Sequence, residues 1–145
     1  MIKKINGLKL GMVSLFLILS VGFVQKAGAK GKHPLSGIWT MEYQDYGRKV
    51  ICYKLLKKDG SYVNLRSMDK AGKYFYATHL GKYEIAPAEY TEYLLEENGR
   101  KCIPPVAVPI KYELQDQNTL KLSFWIGHRK YTEIWRRAKK APKYG

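Results

Sequence analysis

The acidic residue Glu133 lies in a segment whose pattern predicts an inward-facing carboxylate. Residues 120–126 alternate apolar and polar side chains, and a short loop near Gly127 joins them to a second strand, 131–137. Whether this loop has two residues or four, directly opposed residues of the hairpin share a face. Glu133 and Arg137 are therefore predicted to point inward, and the same face carries three aromatic residues: Phe124, Tyr131 and Trp135.

An inward carboxylate needs an explanation, because charged side chains are rarely buried without a partner. One explanation is a polar ligand site within an apolar pocket, in which Tyr90 and Glu92 join Glu133. A second is a buried network of ion pairs and tyrosines that closes the fold. A third, an acid pair like that of a glycoside hydrolase, has less support, because nothing in the sequence sets the separation of the carboxylates.

Tyrosine is abundant, with twelve in the 145 residues. It suits both a half-buried strand and a pocket wall, because its ring is apolar and its hydroxyl is polar. The number of tyrosines, rather than any single position, predicts a binding pocket. The candidate ligand-binding residues are Tyr53, Tyr83, Tyr90, Glu92, Tyr112, Phe124, Tyr131, Glu133 and Trp135.

The sequence contains none of the short motifs that mark common catalytic or cofactor sites. There is no G-x-S-x-G, phosphate-binding loop, G-x-G-x-x-G, H-E-x-x-H or C-x-x-C. The histidines His33, His79 and His128 are expected on the lead-in and on two turns, without metal-ligand spacing. We therefore expect no catalytic residue, no metal and no cofactor, and a binding protein rather than an enzyme.

The elements that must position these residues are strands throughout. Short runs rich in Tyr, Val, Ile and Thr alternate with turn residues, and no segment has a helical period. Separate strands are expected at 73–78 and 81–85, and an irregular connection at Pro104, Pro105 and Pro109. The hairpin 50–67 has two faces, of which the more apolar is expected to face the core: Ile51, Tyr53, Leu55, Val63 and Leu65.

Two motifs at opposite ends of the chain predict how the sheet closes. Gly37-Ile38-Trp39 opens the first strand, and Glu133-Ile134-Trp135-Arg136-Arg137 lies on the last. Gly37 permits a tight turn without a Cβ, and an arginine lying on the Trp39 ring would make a cation–π contact.

With Tyr90-Thr91-Glu92 between them, these motifs resemble a lipocalin-like (calycin) family of small secreted bacterial β-barrels of unknown function. The resemblance covers residues 35–138. It implies a single all-β, antiparallel barrel of about eight or nine strands, closed by Gly37, Trp39 and Arg137.

The first 29 residues have the pattern of a secretory signal peptide. Lys3 and Lys4 precede an apolar run, 10–24, and Ala27-Gly28-Ala29 is a small-residue cleavage site. The alternative is an uncleaved membrane anchor, although the run is short for a span of about 20 apolar residues. Cleavage would leave a basic lead-in, 30–34, the barrel, 35–138, and a basic frayed tail, 139–145. The mature protein would be periplasmic or secreted, without stable membrane insertion.

The chain is strongly basic, with 26 Lys and Arg residues against 12 Asp and Glu residues. Outside the cytoplasm such a charge favours acidic glycans, lipid headgroups or other envelope components over nucleic acid, or it only solvates the barrel exterior. We expect a small, partly apolar ligand inside the barrel. The alternative is an interaction module that binds an acidic glycan or a protein partner through its basic exterior.

Two cysteines, Cys52 and Cys102, would share this oxidising compartment. They are a candidate disulfide that would close a loop of about 50 residues. Two unpaired thiols are the alternative, because nothing local fixes the distance between them.

Cleavage after Ala29 is testable on exported protein. N-terminal sequencing of the chain recovered from outside the cytoplasm should begin at Lys30. A chain that still begins with Met1 would contradict the signal peptide and support the anchor.

Overall fold

The structure, a computed structural model, describes residues 33–145. Eight antiparallel strands follow one another around a closed barrel, with the last strand returning to pair with the first. Their bounds are β1 Gly37–Asp45, β2 Arg48–Leu56, β3 Ser61–Ser67, β4 Phe75–Ala86, β5 Glu89–Glu97, β6 Arg100–Asp116, β7 Thr119–Ile126 and β8 Arg129–Ala138. The predicted single antiparallel barrel is confirmed.

The predicted signal peptide and the first part of the lead-in lie outside the described residues. Within the described part of the chain, no helix is long and apolar enough to span a membrane.

The number of strands is eight because two predicted strands are one. Residues 73–78 and 81–85 were expected as a pair, but β4 is continuous. The register of its pairing with β5 shifts between Leu80 and Gly81, where Leu95 of β5 is left out. His79 therefore lies within a strand and not in a turn. The strand continues through Gly81 because a bulge leaves one residue out of the ladder without ending the strand.

The prediction of an irregular, proline-rich connection is also wrong, because Pro104, Pro105 and Pro109 lie inside the long strand β6. The pairing of β6 with β5 passes from Lys101 directly to Val106. Pro104 and Pro105 are thereby taken out of the ladder, and their missing N–H groups interrupt no sheet hydrogen bond.

One end of the barrel is filled by apolar side chains. Trp39, Leu120 and Leu122 are fully buried there and belong to one cluster with Leu35, which precedes β1. The indole N–H of Trp39 donates to the Leu35 carbonyl at 2.9 Å. We call this end, where β1 begins and β8 finishes, the floor of the barrel. The opposite end, where the β1–β2, β3–β4, β5–β6 and β7–β8 turns lie, is the mouth.

Arg137 seals the floor. Its guanidinium lies 4.1 Å from the centroid of the Trp39 ring, because Trp39 and Arg137 are directly paired between β1 and β8. It also donates to the backbone carbonyls of Gln117, Ser36 and Pro34, at 2.9, 3.1 and 2.9 Å. The three residues predicted to close the barrel therefore lie together.

Gly37 leaves the space that Arg137 occupies. Its φ of 137° lies in the region that disfavours residues with a Cβ, and a Cβ there would lie 2.7 Å from Nη1 of Arg137. The glycine of the Gly-x-Trp motif is thus required both by its backbone and by its neighbour.

A second apolar cluster lies on the outer face of the sheet. Its buried members are Leu55, Val63, Leu65 and Phe75, and the Tyr53 ring meets Phe75 edge to face at 5.3 Å. The face of the β2–β3 hairpin that was expected to line the interior is therefore the outer one. The predicted inward orientation of Tyr53 is wrong, because β1 and β2 pair Trp39 with Lys54 and so turn Tyr53 away from the lumen.

The C-terminal tail, expected to be frayed, covers part of this outer cluster. Ala141 packs against it, and Tyr144 forms a β-bridge with Phe75. The cluster needs such a cover, because an apolar outer face would otherwise be exposed to water.

The contacts of Arg137 predict its contribution to stability. Arg137→Ala removes the cation over Trp39 and leaves three carbonyls without their donor, so we expect a loss of about 3 kcal/mol in the free energy of unfolding. Arg100→Ala, at an exposed position of β6, should change it by less than about 0.5 kcal/mol. Urea denaturation of both variants measures the difference, and equal small losses would contradict the role of Arg137.

Candidate functional site

A buried ion pair crosses the lumen of the barrel. Nζ of Lys54, on β2, contacts Oε1 of Glu92, on β5, and the two residues are 3% and 6% exposed. The hydroxyl of Tyr90 donates to the same carboxylate oxygen at 3.0 Å. Because β2 and β5 are not neighbours in the sheet, the pair connects separate parts of the wall.

Aromatic rings enclose the ammonium group of this pair. Nζ of Lys54 lies 5.6 Å from the ring centroid of Tyr62 and 5.7 Å from that of Trp135. Such cation–π contacts, with the carboxylate, compensate for the loss of water around a buried charge. Burial and the nearby Glu92 carboxylate raise the pKa of the Tyr90 and Tyr62 hydroxyls, so both remain protonated.

Sequence reasoning missed Lys54, which was expected on the outer face of its strand. The turn before β2 could have placed it. Tyr46 and Gly47 both have positive φ, 47° and 74°, as in a two-residue type I′ hairpin turn. That turn sets Asp45 opposite Arg48, and counting back along the strands puts Lys54 opposite Trp39.

Glu133 is the second interior carboxylate. The β7–β8 turn has two residues, one of the two predicted lengths, and Glu133 is paired with the buried Leu122. The indole N–H of Trp135 donates to Oε2 of Glu133 at 2.9 Å. Burial raises the pKa of Glu133, an effect opposed by Lys54 and by the Trp135 N–H and increased by Glu92. The lumen therefore holds two carboxylates and one ammonium group.

Towards the mouth, the lumen becomes accessible to solvent. Residues that face the interior there are only half-buried, in contrast to the ion pair below them. Those that we call the cup are Met41, Cys52, Asn64, Arg66, Phe124, Tyr131 and Glu133. Arg66 lies opposite Cys52 and pairs with Asp45 at 2.7 Å.

The cup combines an apolar wall with unused polar atoms. The rings of Phe124 and Tyr131 stack at 5.8 Å with an interplanar angle of 13°. Oδ1 of Asn64 is buried and has no hydrogen-bond partner among the described residues. Burial raises the pKa of the Cys52 thiol to about 11, so it stays protonated. A guest in the cup would meet aromatic surface and hydrogen-bond acceptors.

The remaining predicted ligand residues lie deeper or outside. Tyr83 and Tyr112 belong to the floor core, and their hydroxyls donate to the carbonyls of Lys57 and Ala86 at 2.6 and 3.2 Å. Tyr53 lies on the outer face, as described above. Of the predicted set, the structure brings only Phe124, Tyr131 and Glu133 to the cup.

The candidate disulfide is not formed, since Cys52 and Cys102 are both free thiols. They lie on β2 and β6, four strands apart in the closed eight-stranded barrel. A disulfide needs Cα atoms within about 7 Å, and opposite walls of such a barrel are farther apart than this.

Two cavities open on the outside of the barrel. One, of about 410 Å³, lies at the floor beside His33 and Arg137. The other, of about 560 Å³, lies on the wall beside Tyr93 and Pro105. Neither includes a cup residue. Among residues 33–145, no group of three or more His, Cys, Asp or Glu side chains could hold a metal ion.

A comparison with protein families matches the chain to a family of undefined function. The model described as "Domain of unknown function (DUF4488)" matches residues 34–144, nearly the whole described barrel. No curated protein matches the chain.

Removing one charge of the buried ion pair should destabilise the fold more than removing both charges. Lys54→Met leaves the Glu92 carboxylate buried without its counter-ion, so we expect the free energy of unfolding to fall by about 3–5 kcal/mol. Adding Glu92→Gln should restore most of this loss, because both charges are then absent and Tyr90 still has an acceptor.

Lys49→Met is the matched control, since Lys49 pairs with Glu42 at 2.8 Å in an exposed position. Its cost should stay below about 1 kcal/mol. Urea denaturation at neutral pH measures all three variants. If the double variant is no more stable than Lys54→Met, the two charges do not compensate for each other's burial, and the prediction is contradicted.

Proposed function

The chain belongs to the DUF4488 family, whose description assigns no activity, and we propose that its barrel is of lipocalin-like type and binds a small molecule without catalysis. The ligand would be partly apolar and would enter the cup from the mouth. The observation that carries the proposal is that two interior acceptors, Glu133 and Asn64, face the same lumen as the stacked rings of Phe124 and Tyr131.

The acceptors predict the polar end of the ligand. An ionised carboxylate offers about four acceptor positions, and one indole N–H occupies a single one on Glu133. Oδ1 of Asn64 is free to accept as well. The ligand would therefore carry hydrogen-bond donors, as an amine, an amide or a hydroxyl does. A carboxylate ligand is disfavoured, because Lys54 and Arg66 are already paired with acids and Glu133 adds a further negative charge.

The walls predict the rest of the ligand. Phe124 and Tyr131 present an aromatic surface, and Met41 and the buried Leu122 add aliphatic surface. Ligand sites in proteins commonly combine mostly apolar walls with a few polar groups that fix orientation. A flat or aromatic body with one donor group fits this combination.

The two explanations of the inward acids, a ligand site and a buried structural network, then apply to different acids at different depths of the lumen. Glu92 is neutralised by Lys54 and bonded by Tyr90 below the cup, which supports a structural role for this acid. Glu133 lies in the half-buried layer above and has the raised pKa of a partly desolvated carboxylate. Of the two acids, we assign ligand recognition to Glu133. The proposed setting is the periplasm or the cell exterior, on the leader pattern of residues 1–29.

Two fluorescent probes of similar shape test this proposal. The aromatic amine 1-aminoanthracene should bind in the cup, whereas 9-anthracenecarboxylate should bind much more weakly. Glu133→Gln should weaken binding of the amine about tenfold or more, because a hydrogen bond to a charged group is lost. Fluorescence titration gives the dissociation constants.

The controls separate binding from folding. Glu89→Gln, at an exposed position at the start of β5, should leave amine binding unchanged. Glu133→Gln should unfold at no lower urea concentration than the unaltered protein at neutral pH, because it removes a partly desolvated charge. Equal binding of the two probes, or normal amine binding by folded Glu133→Gln, would contradict the proposal.

A further inference from the structure

The most exposed large apolar side chains of the described residues are all at one end of the barrel. Of the large apolar residues on the surface, six are more than 60% exposed, and the others lie between 37% and 49%. The six are Tyr46, Met68, Tyr74, Ile103, Trp125 and Ile126. We call them the mouth rim.

Each of the four mouth turns contributes to the rim. Tyr46 lies in the β1–β2 turn, and Met68 and Tyr74 lie in the β3–β4 loop. Ile103 follows the β5–β6 turn in the bulge of β6, and Trp125 and Ile126 end β7. At the floor, the turns 57–60, 87–88 and 117–118 contribute none of the exposed large apolar residues. The strongly exposed large apolar side chains are therefore concentrated at the mouth and are not spread over the described surface.

Cations accompany the apolar residues of the rim. The same turns and strand ends carry Arg48, Lys70, Lys73, Arg100, Lys101, Arg129 and Lys130, against the acids Asp45, Asp69, Glu96 and Glu97.

Several of these acids are already partnered. Asp45 pairs with Arg66 at 2.7 Å, and Asp69 accepts from the backbone N–H groups of Lys73 and Tyr74. The cations that remain are available to an external anion.

We propose that the mouth rim docks on an anionic lipid bilayer. Tyr, Trp and aliphatic side chains at separate turn tips suit the boundary between headgroups and acyl chains. Lysines and arginines near them gain from the negative surface potential of anionic lipids. An acidic glycan would use the cations but would leave Trp125, Ile126 and Ile103 in water, so the bilayer fits the combination better.

This inference goes beyond the proposed ligand binding, and its test needs no ligand. The described residues 33–145 form one compact unit with a closed barrel, which permits a test on the barrel alone. Vesicles of phosphatidylcholine are compared with vesicles that contain about 30 mol% phosphatidylglycerol. The barrel should co-sediment with the anionic vesicles, and this binding should weaken as salt is added.

Tryptophan fluorescence reports which end is in contact. The chain has three tryptophans, of which Trp39 and Trp135 are 0% and 3% exposed while Trp125 is 62% exposed. The emission of Trp125 should shift to the blue on anionic vesicles and be quenched by brominated lipid. Trp125→Phe should abolish the shift. Binding without any change in Trp125 emission would overturn docking through the rim.

Paired charge reversals separate the rim from the overall charge. Arg129→Glu with Lys130→Glu at the mouth should weaken vesicle binding about tenfold or more. Lys57→Glu with Lys58→Glu makes the same charge change at the floor and should weaken it less than about twofold. Equal losses would overturn the proposal in favour of non-specific attraction.

A matched pair of apolar substitutions tests whether the exposed apolar side chains of the rim contribute to vesicle binding. Ile126→Ser should reduce vesicle binding, whereas Ile134→Ser, on the outer wall of β8 and 42% exposed, should not. Light scattering without vesicles gives the oligomeric state. A dimer that Ile126→Ser dissociates, together with no vesicle binding, would overturn the proposal and assign the rim to a second copy of the chain.

Discussion

The pairing of Lys54 with Glu92 across the lumen determines what the rest of the interior can be. Two charges removed from water are tolerated only when their contacts replace that water. Tyr90, Tyr62 and Trp135 supply those contacts, so three of the largest interior side chains are positioned by one ion pair. The apolar floor lies beneath this layer and the solvent-accessible cup lies above it. The barrel thus has a dry lower half and a polar upper half, separated by a charged layer.

This layering explains why Glu92 has all its partners within the fold while Glu133 keeps free hydrogen-bond acceptor positions. Glu92 has its ammonium and its hydroxyl donor within the buried layer, whereas Glu133 has a single N–H donor and lies where the walls begin to open. The difference comes from position along the strands and not from residue type. A carboxylate one layer higher keeps its free acceptor positions and has access to the mouth.

The parts of this architecture that the sequence predicted are those fixed by short-range rules. An even-length turn places Glu133 and Trp135 on the face of Leu122, whatever the rest of the chain does. The opposed Trp39 and Arg137 are the exception, a long-range contact that was predicted from the motif at each end and the family resemblance. The orientation of the β2–β3 hairpin was predicted wrongly because its lumen face carries Lys54, Asn64 and Arg66, which is the pattern of a solvent-exposed face. Its more apolar face lies outside, where it packs under the tail and Phe75. Periodicity alone does not distinguish two buried faces, and only the register from the Tyr46-Gly47 turn identifies Lys54 as interior.

The closure of the floor has a consequence for how the chain folds. Arg137 donates to the carbonyl of Ser36, a contact between residues 101 positions apart, and β8 is the strand that covers the free edge of β1. Neither contact can form until nearly the entire barrel sequence has been synthesised. Folding is therefore dominated by a long-range event that comes late, which is the condition for slow folding. Until then β1 presents an open edge, able to pair with any other extended chain. A chain cut short before β8 would keep that edge permanently, so the end of the last strand, through its pairing with Ile38–Thr40, protects the start of the first strand from association.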